Sequence, residues 1–316
     1  KEETRLRVLA AAEKLGYSPN NRARGLALRK TNTIGLVVTD IENPFFGSIT
    51  RHIDEYTRDA GYNLVLSVSN DDLELEDQII DTFISERVDG VIIIPTLCQR
   101  TDMSCFRRLE KHNIPYVFST SFYPGVSCDC VMTDLRSGSY ELTAYLLRLG
   151  HRIIYILVSS SRAAVPSKLR IEGCMGAFDD FGIPYDESWI IECEKPDFNH
   201  GFTRTMETMG EIKPDAVMAI NDIMALGAKR ALKEMGYLVP DDIAVAGYDD
   251  VIFSSVSEIP LTTVRQPVQE ICSQTVGILI ERIHGKRSSM RFHMISPELV
   301  IRRSTEDKQE GKVHDP

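Results

Sequence analysis

The amino-acid sequence predicts an α/β protein of two similar lobes, each a doubly wound parallel sheet. Three observations carry this. From Thr33 onward, short apolar runs rich in β-branched residues alternate with amphipathic stretches long enough to be helices. The runs are apolar at nearly every position, the pattern of strands buried on both faces and joined by right-handed crossovers. The succession also occurs twice, the first set ending near Thr133 and the second beginning near Asp134. With 316 residues, 43% hydrophobic and 26% charged, the chain suits about two soluble domains.

The elements follow in order. "ETRLRVLAAAEKLGYSP" places Leu6, Leu9, Ala10 and Leu15 near helical spacing, with Gly16 and Pro19 as stop signals, and predicts one helix. "SPNNRARGLALRK" then brings Arg22, Arg24, Arg29 and Lys30 together with Ala23, Leu26 and Ala27; a solvated linker has such a composition, yet its charge is of one sign. The first strands are "TIGLVV" (33–38), "NLVLSV" (63–68), "GVIII" (90–94) and "YVFS" (116–119). The second are "IIYILV" (153–158), "WIIEC" (189–193), "AVMAI" (216–220) and "IAVAGY" (243–248). Helical stretches such as "FGSITRHIDEYTRDAG" and "DIMALGAKRALKEMG" separate them, many closing on glycine. After "LTTVRQPVQEI" a long helix is expected from about Val268 to His284, then one more extended segment in "RFHMISPELVIRRST". The expected division is an arm at 1–31, a first lobe of 32–133 plus 265–292, a second of 134–264 plus 293–305, and a disordered tail at 306–316. Several passages between the lobes imply a hinge.

The formal net charge is −10, but residues 1–31 hold eight Lys/Arg and three Asp/Glu, net +5, leaving −15 for the rest: a basic arm on an acidic body. Seven cysteines, at 98, 105, 128, 130, 174, 193 and 272, show no paired spacing and fit reduced thiols in a cytoplasm. No run of about 18 apolar residues suggests a membrane span, and the charged start does not resemble a secretory signal. The chain begins without methionine and in mid-pattern, so it is expected to be part of a longer one. No zinc spacing, P-loop, nucleophile elbow or dinucleotide fingerprint is present, so neither enzyme chemistry nor a cofactor is expected.

Open α/β sheets bind ligands beyond the carboxyl ends of their strands, and two facing lobes make a cleft there. After the first strand, "NPFF" offers Phe45 and Phe46, either as a helix-start core contact or as a face in the cleft. "SKLRIEG" offers Arg170, a lone cation at a helix start, and "PDFNHGF" offers Phe198 as a stacking face. In "AINDIMALG", Asp222 suits the helix cap and Asn221 an amide facing the cleft. In "VAGYDDV", only one of Asp249 and Asp250 should face a ligand, since neighbours on an extended chain point apart. A cation opposite a carboxylate would suit a small polyol or acid.

Taken in this order, "ETRLRVLAAAEKLGYSPNNRARGL", "NPFF", "DLELEDQIIDTFISERVDGVIIIP", Arg170-x-x-Gly173, "NDIMALGA", "VAGYDD" and "PLTTVRQP" through "PELVIRRST" resemble the lactose/galactose repressor family of bacterial transcription regulators over nearly the whole chain. The resemblance implies a periplasmic-binding-protein-like fold, a cytoplasmic homodimer, and a pseudo-palindromic operator bound partly through a hinge at "SPNNRARGLA", with Asn20, Arg22 and Arg24 at the DNA and Leu26 wedged into the minor groove. A helix that short is marginal alone in water, which fits ordering on DNA. It further implies a small effector held by Phe45, Arg170, Phe198, Asn221 and Asp249, with sugars or sugar derivatives the expected class; a purine would use the same groups. The family's helix-turn-helix precedes the segment matching residues 1–16. The competing expectation is a periplasmic or surface solute-binding protein of the same fold.

Overall fold

Runs such as Thr33–Val38 and Ile154–Ser159 have no polar face, and in the computed structural model of the chain both are buried almost throughout. The described residues are 30–305, without 211–212 and 287–288, together with residues 2, 4, 7, 10, 11 and 14, which are helical. Asn20, Arg22, Arg24 and Leu26 of the expected hinge, and the tail from 306, lie outside the described residues.

Two six-stranded sheets result. The first comprises β1 (Thr33–Val38), β2 (Asn63–Val68), β3 (Gly90–Ile93), β4 (Tyr116–Ser119), β5 (Asp129–Thr133) and β11 (Phe292–Ile295), in the order β2-β1-β3-β4-β5-β11. All its pairs are parallel, with Leu36 opposite Leu66 on one side and Ile92 on the other. The second comprises β6 (Ile154–Ser159), β7 (Ile190–Cys193), β8 (Ala216–Ala219), β9 (Ala244–Asp249), β10 (Thr262–Arg265) and β12 (Glu298–Val300), in the order β7-β6-β8-β9-β10-β12; only β12 is antiparallel. Each sheet reverses its order beside its first strand, so the ends of β1 and β3, and of β6 and β8, flank the switch points where such folds hold ligands.

Among the described residues from 30 onward, nine helices wrap the sheets: α1 (Pro44–Asp59), α2 (Leu73–Glu86), α3 (Ser104–Lys111), α4 (Leu135–Arg148), α5 (Val165–Asp180), α6 (Phe198–Thr208), α7 (Asp222–Glu234), α8 (Ile252–Val256) and α9 (Val268–Ile283). Their starts are written in the sequence. Asn43 accepts from the Phe45 amide at 3.0 Å with Pro44 in the first turn, and Asp72 accepts from Glu74 and Leu75 at 2.8 and 3.1 Å; such caps contribute about 1 kcal/mol each. In the first lobe, Ile49 and Ile53 of α1 share a core with Ile271 and Leu279 of α9. Phe83 of α2 and Phe106 of α3 fill a second core.

Several expectations need correcting. β5 has few β-branched residues and starts on a carboxylate, which kept it out of the expected strands; buried Asp129 is accommodated because Arg282 Nε and the Arg291 amide each donate to it at 2.7 Å. The one extended segment after α9 is two strands in different sheets, separated at Ser296–Pro297. β11 runs beside β5 from Phe292 opposite Cys130 to Ile295 opposite Thr133, so the chain changes sheet after Ile295 and not at 292/293. Arg265 belongs to β10 in the second sheet, and Trp189 lies in a 3-10 turn ahead of β7.

The chain therefore passes between the sheets at Thr133–Asp134, Gln266–Pro267 and Ser296–Pro297. These passages adjoin: the Asp134 amide donates to Ile295 O at 2.9 Å, and Thr133 Oγ1 donates to Gln266 Oε1 at 2.6 Å. A buried ionic cluster sits at the carboxyl end of the first sheet. Arg100 donates to Glu76 Oε1 at 2.9 Å and to Asp77 Oδ1 at 2.8 Å, while Tyr123 Oη donates to Glu76 Oε2 at 2.9 Å and accepts from the Thr96 amide at 2.8 Å. It fastens the loop after β3 to α2.

Candidate functional site

β6, β8 and β9 deliver the polar residues of the second lobe to one end of its sheet. Arg170 lies in the second turn of α5, the helix after β6, and Asp249 is the last residue of β9. Their side chains approach to 3.6 Å and are 10% and 5% exposed. The Arg170 guanidinium also lies 4.3 Å from the centre of the Tyr248 ring, a cation–π arrangement strengthened by burial. The glycine of the Arg170-x-x-Gly173 motif has a separate reason: a Cβ at Gly173 would strike the Arg136 carbonyl of α4, so only glycine lets α4 and α5 approach this closely.

Asp249 is constrained from several sides. Gln266 Nε2 donates to its Oδ1 at 2.7 Å, and the same amide's oxygen accepts from Thr133. Its φ is +111° and that of Asp250 is +54°, conformations that cost non-glycine residues about 1–3 kcal/mol and concentrate at binding sites. Burial pushes the Asp249 carboxyl up to about 7 against the opposing pull of Arg170 and Gln266. Beside it, fully buried Asp222 rises to about 8, first from burial and then from the Asp249 charge. Asp250 points away, into ion pairs with Arg265 and Arg302 at 2.7 and 2.6 Å, so only one of the two adjacent acids faces Arg170; the turn made by their positive φ angles, and not strand alternation, separates them.

The remaining residues fall differently. Asn221, and not Asp222, caps α7: its Oδ1 accepts from the Met224 amide and its Nδ2 donates to Pro196 O, both at 2.8 Å, so both ends of the amide are engaged. Asp222 is instead held by Thr263 Oγ1 at 2.6 Å and the Val251 amide at 2.9 Å. The Pro196 bond ties the turn carrying Phe198 to the end of β8, and Phe198 is 42% exposed at the start of α6. Phe45 is 5% exposed, edge-on to Phe46 at 5.2 Å, in the apolar core of the first lobe, which also includes Val251 from just beyond Asp249. The structure thus brings Arg170 and Asp249 together, places Asn221 and Phe198 on adjoining turns, and seats Phe45 in the core. Sequence reasoning missed Gln266, Tyr248 and Thr133; applying the strand-end rule to "TTVRQP" would have found Gln266.

Among the described residues no group of three or more His, Cys, Asp or Glu is arranged to hold a metal ion, and no helix is long and apolar enough to cross a membrane. A groove of about 1530 Å³ opens at the opposite, amino-terminal end of the first sheet, where Lys30, Thr31, Asp89 and Tyr116 line it.

A model of the periplasmic binding protein-like domain matches residues 143–305. The HTH-type transcriptional regulator DegA of Bacillus subtilis is 30% identical over 304 residues, 96% of this chain and 90% of DegA. A solved LacI family transcriptional regulator from Enterococcus faecium, with bound ribose, superposes with a TM-score of 0.75 at 28% identity, covering 86% of this chain and 98% of that one. The chain belongs to the LacI family. Another relative, the HTH-type transcriptional repressor PurR of Photobacterium profundum, is 32% identical over 311 residues, 97% of this chain and 91% of that protein. These relatives are transcriptional regulators and not enzymes. Similarity to LacI family proteins over 304 of 316 residues extends into the segment ahead of Lys30, beyond the two-sheet body.

Proposed function

We propose that this LacI family member is a cytoplasmic, dimeric DNA-binding regulator, in the sense of a repressor, whose operator affinity is set by a small effector held between the lobes. The observation that carries the effector site is the Arg170–Asp249 pair at 3.6 Å, buried at the carboxyl end of the second sheet. A sugar or sugar derivative suits it: adjacent hydroxyls accept from the guanidinium and donate to the carboxylate, and the pair adds no net charge. The ribose in the Enterococcus faecium regulator supports that class. A secreted solute-binding protein would share this pocket, but the regulator relatives match into the basic segment, which such a protein does not need.

The DNA arm is assigned to Asn20, Arg22, Arg24 and Leu26. Arginines facing phosphates release counterions, so binding should weaken steeply with salt, and a leucine between base steps kinks the duplex. In the protein carrying its helix-turn-helix, Leu26→Ala is expected to lose about ten-fold in operator affinity by giving up the bend. Electrophoretic bending assays check this; a variant that binds and bends like wild type removes Leu26 from the interface.

Insertion of two such arms requires a dyad. On α8, Ile252, Phe253 and Val256 are 63%, 49% and 67% exposed and give a second copy an apolar face. Light scattering at micromolar concentration should give a dimer, and Val256→Asp should shift it toward monomer. A wild-type monomer there would defeat the model.

A further inference from the structure

We propose that Asp89 and Thr31 form a joint that fixes where the DNA-binding arm leaves the body, and that this joint sets the half-site separation the protein accepts. The inference rests on the DNA-binding reading above and goes beyond it, to two residues that touch neither DNA nor effector.

The start of β1 is held by more than its sheet. Asp89 N donates to Thr33 O and Asn63 N to Asn32 O, each at 2.8 Å, which completes the ladder on both sides. Asn32 then adopts a φ of +50°, a left-handed turn that asparagine tolerates, and the chain changes direction. Immediately before that turn, the Thr31 amide donates to Asp89 Oδ1 at 3.2 Å and Thr31 Oγ1 donates to Arg87 O at 3.1 Å. The Arg87 carbonyl belongs to the cap of α2, where φ is +56°. The path of the chain at Thr31 is therefore dictated by the end of α2 and the turn before β3.

Asp89 is an uneconomical choice for a turn alone. Among the described residues its Oδ2 is buried without a hydrogen-bond partner, an arrangement that is costly for a carboxylate. What the side chain does gain, among the described residues, is the Thr31 amide at the root of the basic arm, on the wall of the amino-terminal groove. In a dimer, two such joints fix the distance and angle between two arms. One base pair added between half-sites moves them by about 3.4 Å and turns them by about a tenth of a turn, so a rigid root discriminates spacing and a loose one does not.

The test uses the protein with its native sequence ahead of Lys1, and an operator selected by wild type from random DNA. Affinities are measured for that operator and for versions with one base pair added or removed at the centre. Wild type should discriminate sharply. Asp89→Ala should bind the selected operator about ten-fold more weakly, the expected loss for one hydrogen bond to a carboxylate, and should discriminate spacing less. Asp89→Asn keeps the acceptor and should discriminate spacing as wild type does, and each variant should be folded at the temperature of the binding assay. If Asp89→Ala does not fold, Thr31→Pro, which removes both donors and leaves Asp89 in place, is read in the same way. Spacing discrimination unchanged in the variant, or lost equally in Asp89→Asn, overturns the joint while leaving DNA binding intact. Failure of wild type to select any DNA overturns the DNA-binding reading itself.

Discussion

Replacing Arg100 with alanine is expected to destabilise the protein by about 3–5 kcal/mol at pH 8.5, the cost of leaving a buried charge without its partner. Glu76 is fully buried beneath Arg100, and Arg100 also donates to Asp77, so the loss falls on the loop after β3 and the start of α2 together. The effect depends on pH in a definite direction. Burial pushes the Glu76 carboxyl up to about 7, outweighing Arg100, Tyr123 and Thr96, which pull it down. Because the folded carboxyl binds its proton more tightly than the unfolded one, its contribution to stability is full below about 4.5 and is lost as pH rises through about 7. Removing Arg100 takes away the largest opposing pull, so the variant keeps losing stability above pH 7 where wild type levels off. Urea unfolding at pH 5.5 and 8.5 should show the deficit shrinking at the lower pH, where Glu76 accepts a proton. Glu76→Gln with Arg100→Met should be milder than Arg100→Ala, since no unpaired charge is left behind. A deficit independent of pH would mean that lost packing against Phe106 and Tyr123, and not charge, dominates.

Arg170→Ala and Asp249→Ala are each expected to weaken effector binding by about 2–4 kcal/mol, because each leaves a buried polar partner unanswered in the bound state. The ligand would come from a thermal-shift screen of sugars, sugar acids, phosphorylated sugars and purines, and titration calorimetry would measure the losses. With Arg170 gone, Asp249 still accepts from Gln266 and, freed of the cation that pulls its carboxyl down, takes a proton more readily than in wild type, which limits damage to the fold. The carboxyl of Asp249 stands at about 7, so a ligand that donates hydroxyls to its charged form should bind more weakly as pH falls through 7. Folding has the opposite sign: raised Asp249 and Asp222 add stability below the usual 3.8 and lose it as pH rises through about 7 and 8. A ligand that stabilises wild type and both variants equally would place the pocket elsewhere.

What the sequence made legible follows from which forces are local. Apolar, β-branched runs made eight strands legible from composition; β5 escaped because its Asp129 is made tolerable by Arg282, far along the chain, and β10 because Thr262, Thr263 and Arg265 break its apolar pattern. The strand-end rule brought Arg170 and Asp249 to one end of the second sheet, where they pair. It could not show that both ends of the Asn221 amide are engaged, or that Phe45 is seated in the core, because those depend on the turn at Pro196 and on packing around β1. The role of Gln266, unlike its place at a strand end, was hidden for a related reason. Its importance lies in touching Thr133 and Asp249 at once, and these arrive on strands of different sheets.

The late return of the chain to both sheets bears on biosynthesis. β11 completes one edge of the first sheet and β12 one edge of the second, and both lie within the last stretch of described chain. Until Phe292–Val300 has been made and released, the first sheet lacks the strand that covers β5 and the second the strand that covers β10, and a bare strand edge is a template for pairing with a neighbouring chain. A premature stop anywhere between α9 and Phe292 would leave both edges open at once. Such truncated products should be recovered as aggregates or as substrates of proteolysis, and not as a folded half with partial function.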